Sequence, residues 1–343
     1  MSKTVFVGLS GGVDSSVSAG LLRDAGYRVI GVHLKCWNVD GCAEQDAEDA
    51  RRAAETLKIP FYVFDFEREY RERVVSYMVD GYKKGITPNP DVMCNQEIKF
   101  GLFYKRAMEM GADFVATGHY VVRKGDKLYT AKDKDKDQSY FLWTLTKKQI
   151  QHCLFPLGSL IKKTEVRRLA KKYKLPNAEK KDSQGVCFIG HITLKDFLAD
   201  FITVKPGAIV NAQGKQIGEH AGAELYTIGQ RHGLNIGGQS KPHYVSGKNI
   251  KKNIVSVAPE GHESLFKKEV ALSDINLITP LRINQLSVYA RVRYRQPLFK
   301  AVLKRAKSRY SLVFALPQRY VAPGQSAVWY SKSGEMLGGG VIR

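Results

Sequence analysis

The sequence predicts an α/β domain built on a parallel sheet, followed by small β domains. In the first half, short apolar segments alternate with segments of helical length, which is the rhythm of βαβ units. In the second half, helical periodicity nearly disappears, and short β-like segments are separated by glycine turns. With 343 residues, the chain is long enough for two or three domains with a sizeable core.

Four apolar segments predict the strands of the parallel sheet. They are "TVFVGLS" from Thr4, "RVIGVHL" from Arg28, "PFYVFDF" from Pro60 and "DFVATGH" from Asp113. Helices are predicted at 13–25, 43–57, 67–82, 96–110 and 164–173. Sheets of this kind bind ligands beyond the carboxyl ends of their strands, and Ser10, His33, Asp65 and His119 lie at or near those ends.

Two segments without periodicity, 85–95 and 177–190, predict shaped loops. The first contains two prolines, and each contains one cysteine, Cys94 or Cys187. Because both loops belong to the α/β domain, their thiols are candidates for its chemistry.

The change from alternating strand and helix segments to short β-like segments predicts three domains. The α/β domain covers 1–203, a small β-rich domain covers 204–268, and a basic, β-barrel-like domain covers 269–343. The second join is expected near Ala258 to Glu269, where strand-like segments give way to a polar stretch.

Net charge points to a polyanionic partner. The chain carries +21, and between Asp274 and Glu335 it has eleven basic residues and no acidic one. Aromatic residues accompany these cations, as in "YARVRYRQPLFK" from Tyr289. A solvated basic face is the alternative, but an acid-free stretch of this length favours nucleic acid, since each cation near a phosphate releases a counterion.

Composition also excludes several protein classes. No apolar run approaches the roughly 18 to 20 residues of a membrane span. The five cysteines are scattered, which excludes a disulfide scaffold, and no C-x-x-C pair suggests zinc. The first strand begins by Thr4, which leaves no room for a signal or transit peptide, so a cytoplasmic location is expected.

The stretch "SGGVDSS" from Ser10 predicts a phosphate-binding turn. Gly11 and Gly12 let the backbone approach an anion, and the next helix directs its N–H groups at it. Ser10 and Ser15 can add hydroxyl donors, while Asp14 can orient the loop or hold magnesium. The pattern is neither a Walker loop nor a dinucleotide fingerprint. S-G-G-x-D-S after a strand is the PP-loop of ATP pyrophosphatases, which have an adenine nucleotide alpha hydrolase-like fold and cleave ATP between the α and β phosphates.

Cys94 and Cys187 suggest sulfur chemistry beside this turn. Cys94 precedes the helix predicted from Gln96, a position that favours the thiolate, and Asp91 lies three residues earlier as a candidate acid or base. One thiol can carry sulfur as a persulfide and the other can resolve the resulting disulfide. Alternatively, the two thiols and Asp91 ligate an iron–sulfur cluster, and the residues leave both readings open.

With these motifs assembled, the chain resembles the bacterial tRNA-specific 2-thiouridylases, the MnmA or TrmU family, from its first strand to its C-terminus. The matching blocks are "GLSGGVDSSV" from Gly8, "GVHLKCW" from Gly31, "TPNPDVMCNQEIKFG" from Thr87, "ATGHY" from Ala116, "DKDQSYFL" from Asp135, "KKDSQGVCFIG" from Lys180, "YTIGQRHGL" from Tyr226, "ARVRYRQ" from Ala290 and "APGQSAVWY" from Ala322.

The resemblance implies a reaction at the wobble uridine of tRNAs for lysine, glutamate and glutamine. ATP adenylates the C2 oxygen, a persulfide supplied by a carrier protein delivers sulfur, and AMP leaves. It implies that Cys94 is the nucleophile, Cys187 the persulfide carrier and Asp91 the acid or base. The implied ATP site comprises Gly8, Leu9, Ser10, Gly11, Gly12, Val13, Asp14, Ser15, Leu34 and Gly118. The implied tRNA contacts are Asn89, Pro90, Asp91, His119, Lys136, Asp137, Gln138, Arg293, Tyr294 and Gln325.

Two rival functions fit parts of the sequence. A PP-loop enzyme that adenylates a small carboxylate or amide, as argininosuccinate synthase or GMP synthetase does, accounts for the turn but gives no role to two loop cysteines or to a basic β tail. A tRNA-binding protein that has lost catalysis accounts for the charge but not for Asp14, Cys94 and Cys187.

Overall fold

The computed structural model describes residues 2–37, 42–181, 192–238, 240–281 and 283–343. Two compact units divide the chain. Unit 1 comprises Met1–Val74, Pro90–His191 and Ser333–Met336, and unit 2 comprises Val75–Asn89, Ile192–Lys332 and Leu337–Arg343. The predicted division at 203 and 268 stays a prediction.

A parallel sheet of five strands organises unit 1, as predicted. The strands of this unit are β1 (Thr4–Gly8), β2 (Arg28–Lys35), β3 (Phe61–Asp65), β4 (Phe114–Ala116), β5 (Val122–Lys124), β6 (Lys127–Tyr129) and β7 (Cys153–Leu154). The sheet order is β3-β2-β1-β4-β7, and β5 and β6 form a separate hairpin. Val5 and Val7, on one face of the central strand β1, are fully buried, and Phe6 on the other face is 2% exposed, so both faces of the sheet are covered there.

Helices alternate with these strands close to the predicted positions. Their bounds are α1 (Val13–Asp24), α2 (Cys42–Thr56), α3 (Glu67–Tyr70), α4 (Ser76–Lys83), α5 (Pro90–Cys94), α6 (Tyr104–Glu109), α7 (Lys147–Gln151), α8 (Arg167–Lys172) and α9 (Leu194–Ala199). π-helical segments occur at Arg71–Val75, Asn95–Phe103 and Lys162–Val166, and 3₁₀ turns occur at Ser139–Leu142, Ala223–Leu225 and Glu263–Leu265.

The loop predicted at 85–95 is wrong in its second half. Helix α5 begins at Pro90 and runs without a break into the π-helical segment Asn95–Phe103. Proline breaks the interior of a helix, but in the first helical turn its missing N–H costs nothing and its fixed φ favours the helix. Cys94 is therefore helical, and the helix starts six residues before the predicted Gln96.

Unit 2 contains two β structures, which confirms the predicted β-rich second half. The strands are β8 (Gly207–Val210), β9 (Gln216–His220), β10 (His243–Asn249), β11 (Ile254–Pro259), β12 (Phe266–Leu277), β13 (Gln285–Arg291), β14 (Phe299–Ala306), β15 (Arg309–Arg319), β16 (Ser326–Tyr330) and β17 (Met336–Ile342). The first four form a sheet in the order β10-β11-β8-β9, and the last six close a barrel in the order β12-β15-β14-β13-β16-β17. No helix among the described residues is long and apolar enough to cross a membrane.

Candidate active site

The turn between β1 and α1 has the backbone of an anion site. Gly11 has a φ of +73°, and a Cβ there would collide with the backbone of Asp46. Gly12 occupies the N-cap position of α1, and as a glycine it has no side chain to accept a hydrogen bond from the first-turn N–H groups. Those N–H groups and the positive end of the helix dipole are therefore available to a phosphate.

Serine hydroxyls fix the shape of this turn from within. Ser15 Oγ accepts a hydrogen bond from Ser10 N at 3.1 Å and donates to Gly12 O at 3.1 Å. Ser16 Oγ donates to the same carbonyl at 3.0 Å, and Asn177 Nδ2 donates to Gly11 O at 2.9 Å. The Ser15 hydroxyl, predicted as a donor to the ligand, thus donates within the turn in this structure.

Asp14 accepts two strong hydrogen bonds at the start of α1. Its Oδ1 accepts from Tyr120 Oη at 2.7 Å, and its Oδ2 accepts from Lys162 Nζ at 2.6 Å. Only 7% of the Lys162 side chain is exposed. Of the two roles predicted for Asp14, this geometry matches orientation of the turn. It also adds a buried cation, Lys162, that the sequence analysis missed because nothing in "LIKKTEV" distinguishes it from Lys163.

Gly118 lies against the same helix start. A Cβ at Gly118 would lie 2.8 Å from Ser15 N and 2.9 Å from the carbonyl carbon of Asp14, so only glycine permits this approach. Leu34 lies near the carboxyl end of β2, whose Val32 is paired with Gly8 of β1. The predicted nucleotide residues at 8–15, 34 and 118 therefore gather at one edge of the sheet.

A buried histidine lies beneath the turn. His33 Nδ1 is 3.0 Å from Leu9 O, and burial lowers the pKa of the imidazole, which keeps the ring neutral. Its Nε2 has no hydrogen-bond partner among the described residues, and the same holds for Asn177 Oδ1. Buried polar atoms without partners fit a site that a polar ligand completes.

The thiol of Cys94 lies on the helical run that begins at Pro90, and the residue is half-buried. Asp91 lies three residues earlier, which places the two side chains on the same helix face. Burial raises the pKa of the Asp91 carboxyl above its usual value, while the nearby Lys99 ammonium partly offsets the increase. A carboxyl with a raised pKa suits a group that exchanges protons.

One turn, Ser139–Leu142, connects the Cys94 helix to the phosphate turn within unit 1. Asn95, next to Cys94, donates through Nδ2 to Phe141 O at 3.1 Å. Gln138, at the start of the same turn, pairs with the backbone of Tyr120, donating through N at 2.9 Å and accepting at Oε1 at 3.0 Å. Tyr120 in turn donates to Asp14. The Cys94 helix and the phosphate turn therefore share one hydrogen-bonded scaffold.

Two residues of unit 1 implied as tRNA contacts have structural partners here. His119 is buried between Phe100 and Phe155, and burial holds its pKa well below its ordinary value. Asp137 is 4% exposed, and its Oδ1 accepts from the backbone N–H groups of Ala131 and Ser139. The turn at 131–139 is thus not wholly solvated. It stays a prediction that His119 and Asp137 contact tRNA directly. The same holds for Gln138 and for Lys136, which is half-buried.

The implied tRNA contacts of unit 2 are similarly engaged. Arg293 Nη2 donates to Ile228 O at 2.9 Å, and its guanidinium lies 5.7 Å from the centroid of the Tyr320 ring. Tyr294 is half-buried, and Gln325 donates to two backbone carbonyls. Their roles, with those of Asn89 and Pro90, stay predictions.

Cys187, the implied persulfide carrier, lies in 182–191, outside the described residues. Most of the loop predicted at 177–190 falls in the same segment. Within the described part of the chain, no group of three or more His, Cys, Asp or Glu side chains is placed to hold a metal ion.

Comparison with known proteins covers nearly the whole chain. Family models match a tRNA methyl transferase HUP domain over residues 3–191, a tRNA methyl transferase PRC-barrel domain over 195–259 and an aminomethyltransferase β-barrel domain over 267–342. The tRNA-specific 2-thiouridylase MnmA of Protochlamydia amoebophila is 42% identical, with 99% of this chain and 93% of the relative covered. The MnmA of Streptococcus equi subsp. zooepidemicus (strain H70) is 46% identical, with 99% and 95% covered.

A weaker match occurs among solved structures. A 4-thiouridine synthetase–RNA complex with bound ATP matches 58% of this chain and 50% of its own, at 18% identity and a TM-score of 0.38. That likeness is too low to locate a ligand or an activity here. The full-length relatives, together with a family model that spans more than half of the residues, show that the chain belongs to the tRNA-specific 2-thiouridylase family, MnmA.

Proposed function

We propose that the protein is an ATP-dependent tRNA sulfurtransferase that converts the wobble uridine of tRNAs for lysine, glutamate and glutamine to 2-thiouridine. The observation that carries this proposal is the shared scaffold of Tyr120 and Gln138, which ties the phosphate turn to the Cys94 helix. Activation by ATP and attack by sulfur both require such proximity. We also propose a cytoplasmic location, where the tRNA substrate is available.

In the first step, ATP is the substrate that activates the base. The C2 oxygen of uridine attacks the α phosphate, pyrophosphate leaves, and the oxygen becomes part of a good leaving group. The N–H groups that begin α1 after Gly12, together with the Lys162 ammonium beside Asp14, would supply positive charge to the phosphates. Mg²⁺ would arrive with the phosphates, neutralise their charge and take a protein oxygen from Asp14.

In the second step, the outer sulfur of a Cys187 persulfide attacks C2, and AMP leaves. The Cys94 thiolate then attacks the Cys187 sulfur, which leaves the transferred sulfur on C2 and joins the two cysteines as a disulfide. An external thiol reduces that disulfide, and a persulfide carrier protein reloads Cys187. Asp91, on the helix face of Cys94, exchanges the protons.

The direct test is to incubate purified protein with unmodified tRNA, ATP, Mg²⁺ and a polysulfide, which loads the Cys187 thiol as a persulfide by sulfur exchange, and to analyse the nucleosides by mass spectrometry. We expect 2-thiouridine together with AMP and pyrophosphate. Protein purified anaerobically and free of metal should give the same yield, whereas an iron–sulfur mechanism requires reconstituted cluster. If the protein binds tRNA but forms no 2-thiouridine, either free of metal or with a reconstituted cluster, that result would contradict the proposal.

Replacing Asp91 with asparagine should separate activity from stability. General acid–base groups contribute about 10²- to 10⁴-fold, so thiolation should fall by that order. Because the Asp91 pKa is raised in the folded state, ionisation costs folding free energy: the penalty is absent below the unfolded-state pKa and complete above the folded-state pKa. At pH 7 the variant should therefore melt at the same temperature as the parent or higher. If the variant melts at a lower temperature and keeps full thiolation activity, Asp91 neither exchanges protons in the reaction nor destabilises the fold by its ionisation.

Replacing Lys162 with methionine should weaken ATP binding. Without the ammonium, the Asp14 carboxylate loses its buried ion-pair partner, and its negative charge disfavours phosphates at the turn. Hydrogen bonds to charged groups contribute about 1.5 to 3 kcal/mol, so the Kd for ATP should rise roughly 10- to 150-fold. The matched control is Lys163→Met, since Lys163 is exposed and adjacent. Equal ATP affinity in the two variants, measured by calorimetry, would show that Lys162 acts only on the fold.

A further inference from the structure

One buried amide of unit 1 ties the phosphate turn to a distant segment of the chain. Asn177 Nδ2 donates to Gly11 O at 2.9 Å and to Ser16 Oγ at 3.1 Å, and Asn177 is 5% exposed. Because a carbonyl oxygen only accepts, the amide nitrogen must face Gly11, which fixes the orientation of the side chain. Its Oδ1 has no hydrogen-bond partner among the described residues. Burial of this amide therefore has a cost that a purely structural side chain would avoid.

Helix α2 contacts the same glycine with its backbone. A Cβ at Gly11 would lie 2.9 Å from Cα of Asp46. Asp46 shares a helix face with Ala50 and Ala53, which are fully buried. The buried face of α2 thus continues to the phosphate turn, and Gly11 is in contact with both the amide of Asn177 and this helix.

Lys180, three residues after Asn177, connects these two supports. Its Nζ donates to Asp46 Oδ1 at 2.7 Å and to Asp49 Oδ2 at 2.6 Å. Arg167 fixes the intervening chain through two hydrogen bonds to its carbonyls. The phosphate turn, helix α2 and this segment therefore form a closed ring of contacts within unit 1.

We propose that Asn177 is a positioning residue for phosphate binding, and that it acts through the carbonyl of Gly11. In a trans peptide, the C=O and the next N–H point in opposite directions. By holding Gly11 O, the amide of Asn177 directs the N–H of Gly12 away from itself and so sets the direction of an anion-binding donor. Lys180 keeps the amide in place. The inference rests on the proposed function only where it takes ATP as the ligand.

The test compares Asn177→Asp with Asn177→Leu, which both keep the approximate size of the side chain. The introduced carboxyl donates to Gly11 O while it is protonated and repels that oxygen once ionised, and burial raises its pKa. Leucine donates at no pH. ATP is titrated into each protein by calorimetry without tRNA. For Asn177→Asp, the ratio of its Kd to the parental Kd should be within about threefold at pH 6 and about 5- to 150-fold at pH 8.5. For Asn177→Leu, the higher ratio should hold at both pH values.

The ratio isolates the introduced carboxyl, because the other charged groups around the turn are common to the parent and the variants. These groups are Asp14, His33, Asp46, Asp49, Lys162, Arg167 and Lys180. A parental Kd for Asn177→Leu would trace the effect of Asn177→Asp to charge alone and would overturn the proposal. So would a ratio near one for Asn177→Asp at both pH values.

The matched control is Asn253→Asp. Asn253, in unit 2, likewise donates through Nδ2 to two backbone carbonyls, Lys205 O and Pro206 O, at 2.9 Å each. Its Kd ratio for ATP should stay near one at pH 6 and at pH 8.5. An equal rise with pH in Asn253→Asp and Asn177→Asp would show that any ionised buried carboxyl weakens ATP binding, and the positioning role would fall.

A second pair of variants covers a failure of the Asn177 variants to fold, which circular dichroism would reveal. Lys180→Met opens the ring of contacts, and Lys180→Arg keeps a cation for Asp46 and Asp49. At high salt, which screens the effect of charge alone, the Kd for ATP should rise about tenfold in the methionine variant and return to within about threefold of the parent in the arginine variant. The control is Lys181→Met, since Lys181 is exposed and adjacent. Equal ATP affinity in Lys180→Met and Lys181→Met would overturn the proposal.

Failure of the proposed function gives a different pattern. If the parent protein binds ATP but makes no 2-thiouridine, thiolation is wrong, and the Kd ratios still decide the role of Asn177. If the parent binds neither ATP nor pyrophosphate, the turn holds no phosphate, and the positioning role is overturned together with the proposed function.

Discussion

Replacing Cys94 with serine should abolish 2-thiouridine formation. A serine hydroxyl is not ionised at neutral pH and forms no disulfide with Cys187, so the sulfur on C2 cannot be released. Removing a catalytic nucleophile costs on the order of 10⁴- to 10⁶-fold, and we expect a loss at least at the lower end of that range. Release of pyrophosphate in the first turnover should persist, because adenylation takes place at the phosphate turn and needs no thiol.

The comparison requires a thiol that the mechanism does not use. Cys153 is fully buried at the start of β7, and burial raises the pKa of its thiol, so it stays protonated. Cys153→Ala should therefore thiolate tRNA at close to the parental rate in the same mass-spectrometric assay. If a Cys94→Ser, Cys187→Ser double variant keeps the parental rate of ATP-dependent AMP formation on a small carboxylate or amide, that result would contradict sulfur transfer and favour the rival reaction.

Replacing Gly118 with alanine should remove ATP binding. The added methyl group would lie 2.8 Å from Ser15 N, a separation that real Cβ atoms do not adopt, so the start of α1 must move. The neighbouring atoms belong to the backbone and cannot rotate away. A displacement of about 1 Å at a reacting centre costs roughly 10²-fold, so AMP formation should fall by at least that factor.

Thermal unfolding with and without ATP measures this effect. The parent protein should gain several degrees in Tm at saturating ATP, and the Gly118→Ala variant should gain none. Gly237→Ala is the matched control, because a Cβ at Gly237 meets no atom within 4 Å in the part of the chain that the structure describes. An ATP-dependent Tm shift in Gly118→Ala equal to that of the control would contradict this prediction, because the turn would then tolerate the methyl group or the nucleotide would bind elsewhere.

The phosphate turn could be predicted because its determinants are contiguous. A buried strand, two glycines and the helix start occupy Thr4–Val13, and each acts through its own backbone. The start of the Cys94 helix could not be assigned in the same way. Pro90 fits both a loop and a first helical turn, and local sequence does not decide between them.

The sequence by itself determined the fold class, the anion-binding turn and the two β structures of the second half, because periodicity and backbone preference are local. Only the tertiary structure decided which polar side chains complete the site. Lys162 is 148 residues from Asp14 along the chain, and Asn177 is 166 residues from Gly11. A lysine or asparagine carries no local sign of such a partner, because the hydrogen bond exists only once the fold brings the two residues together.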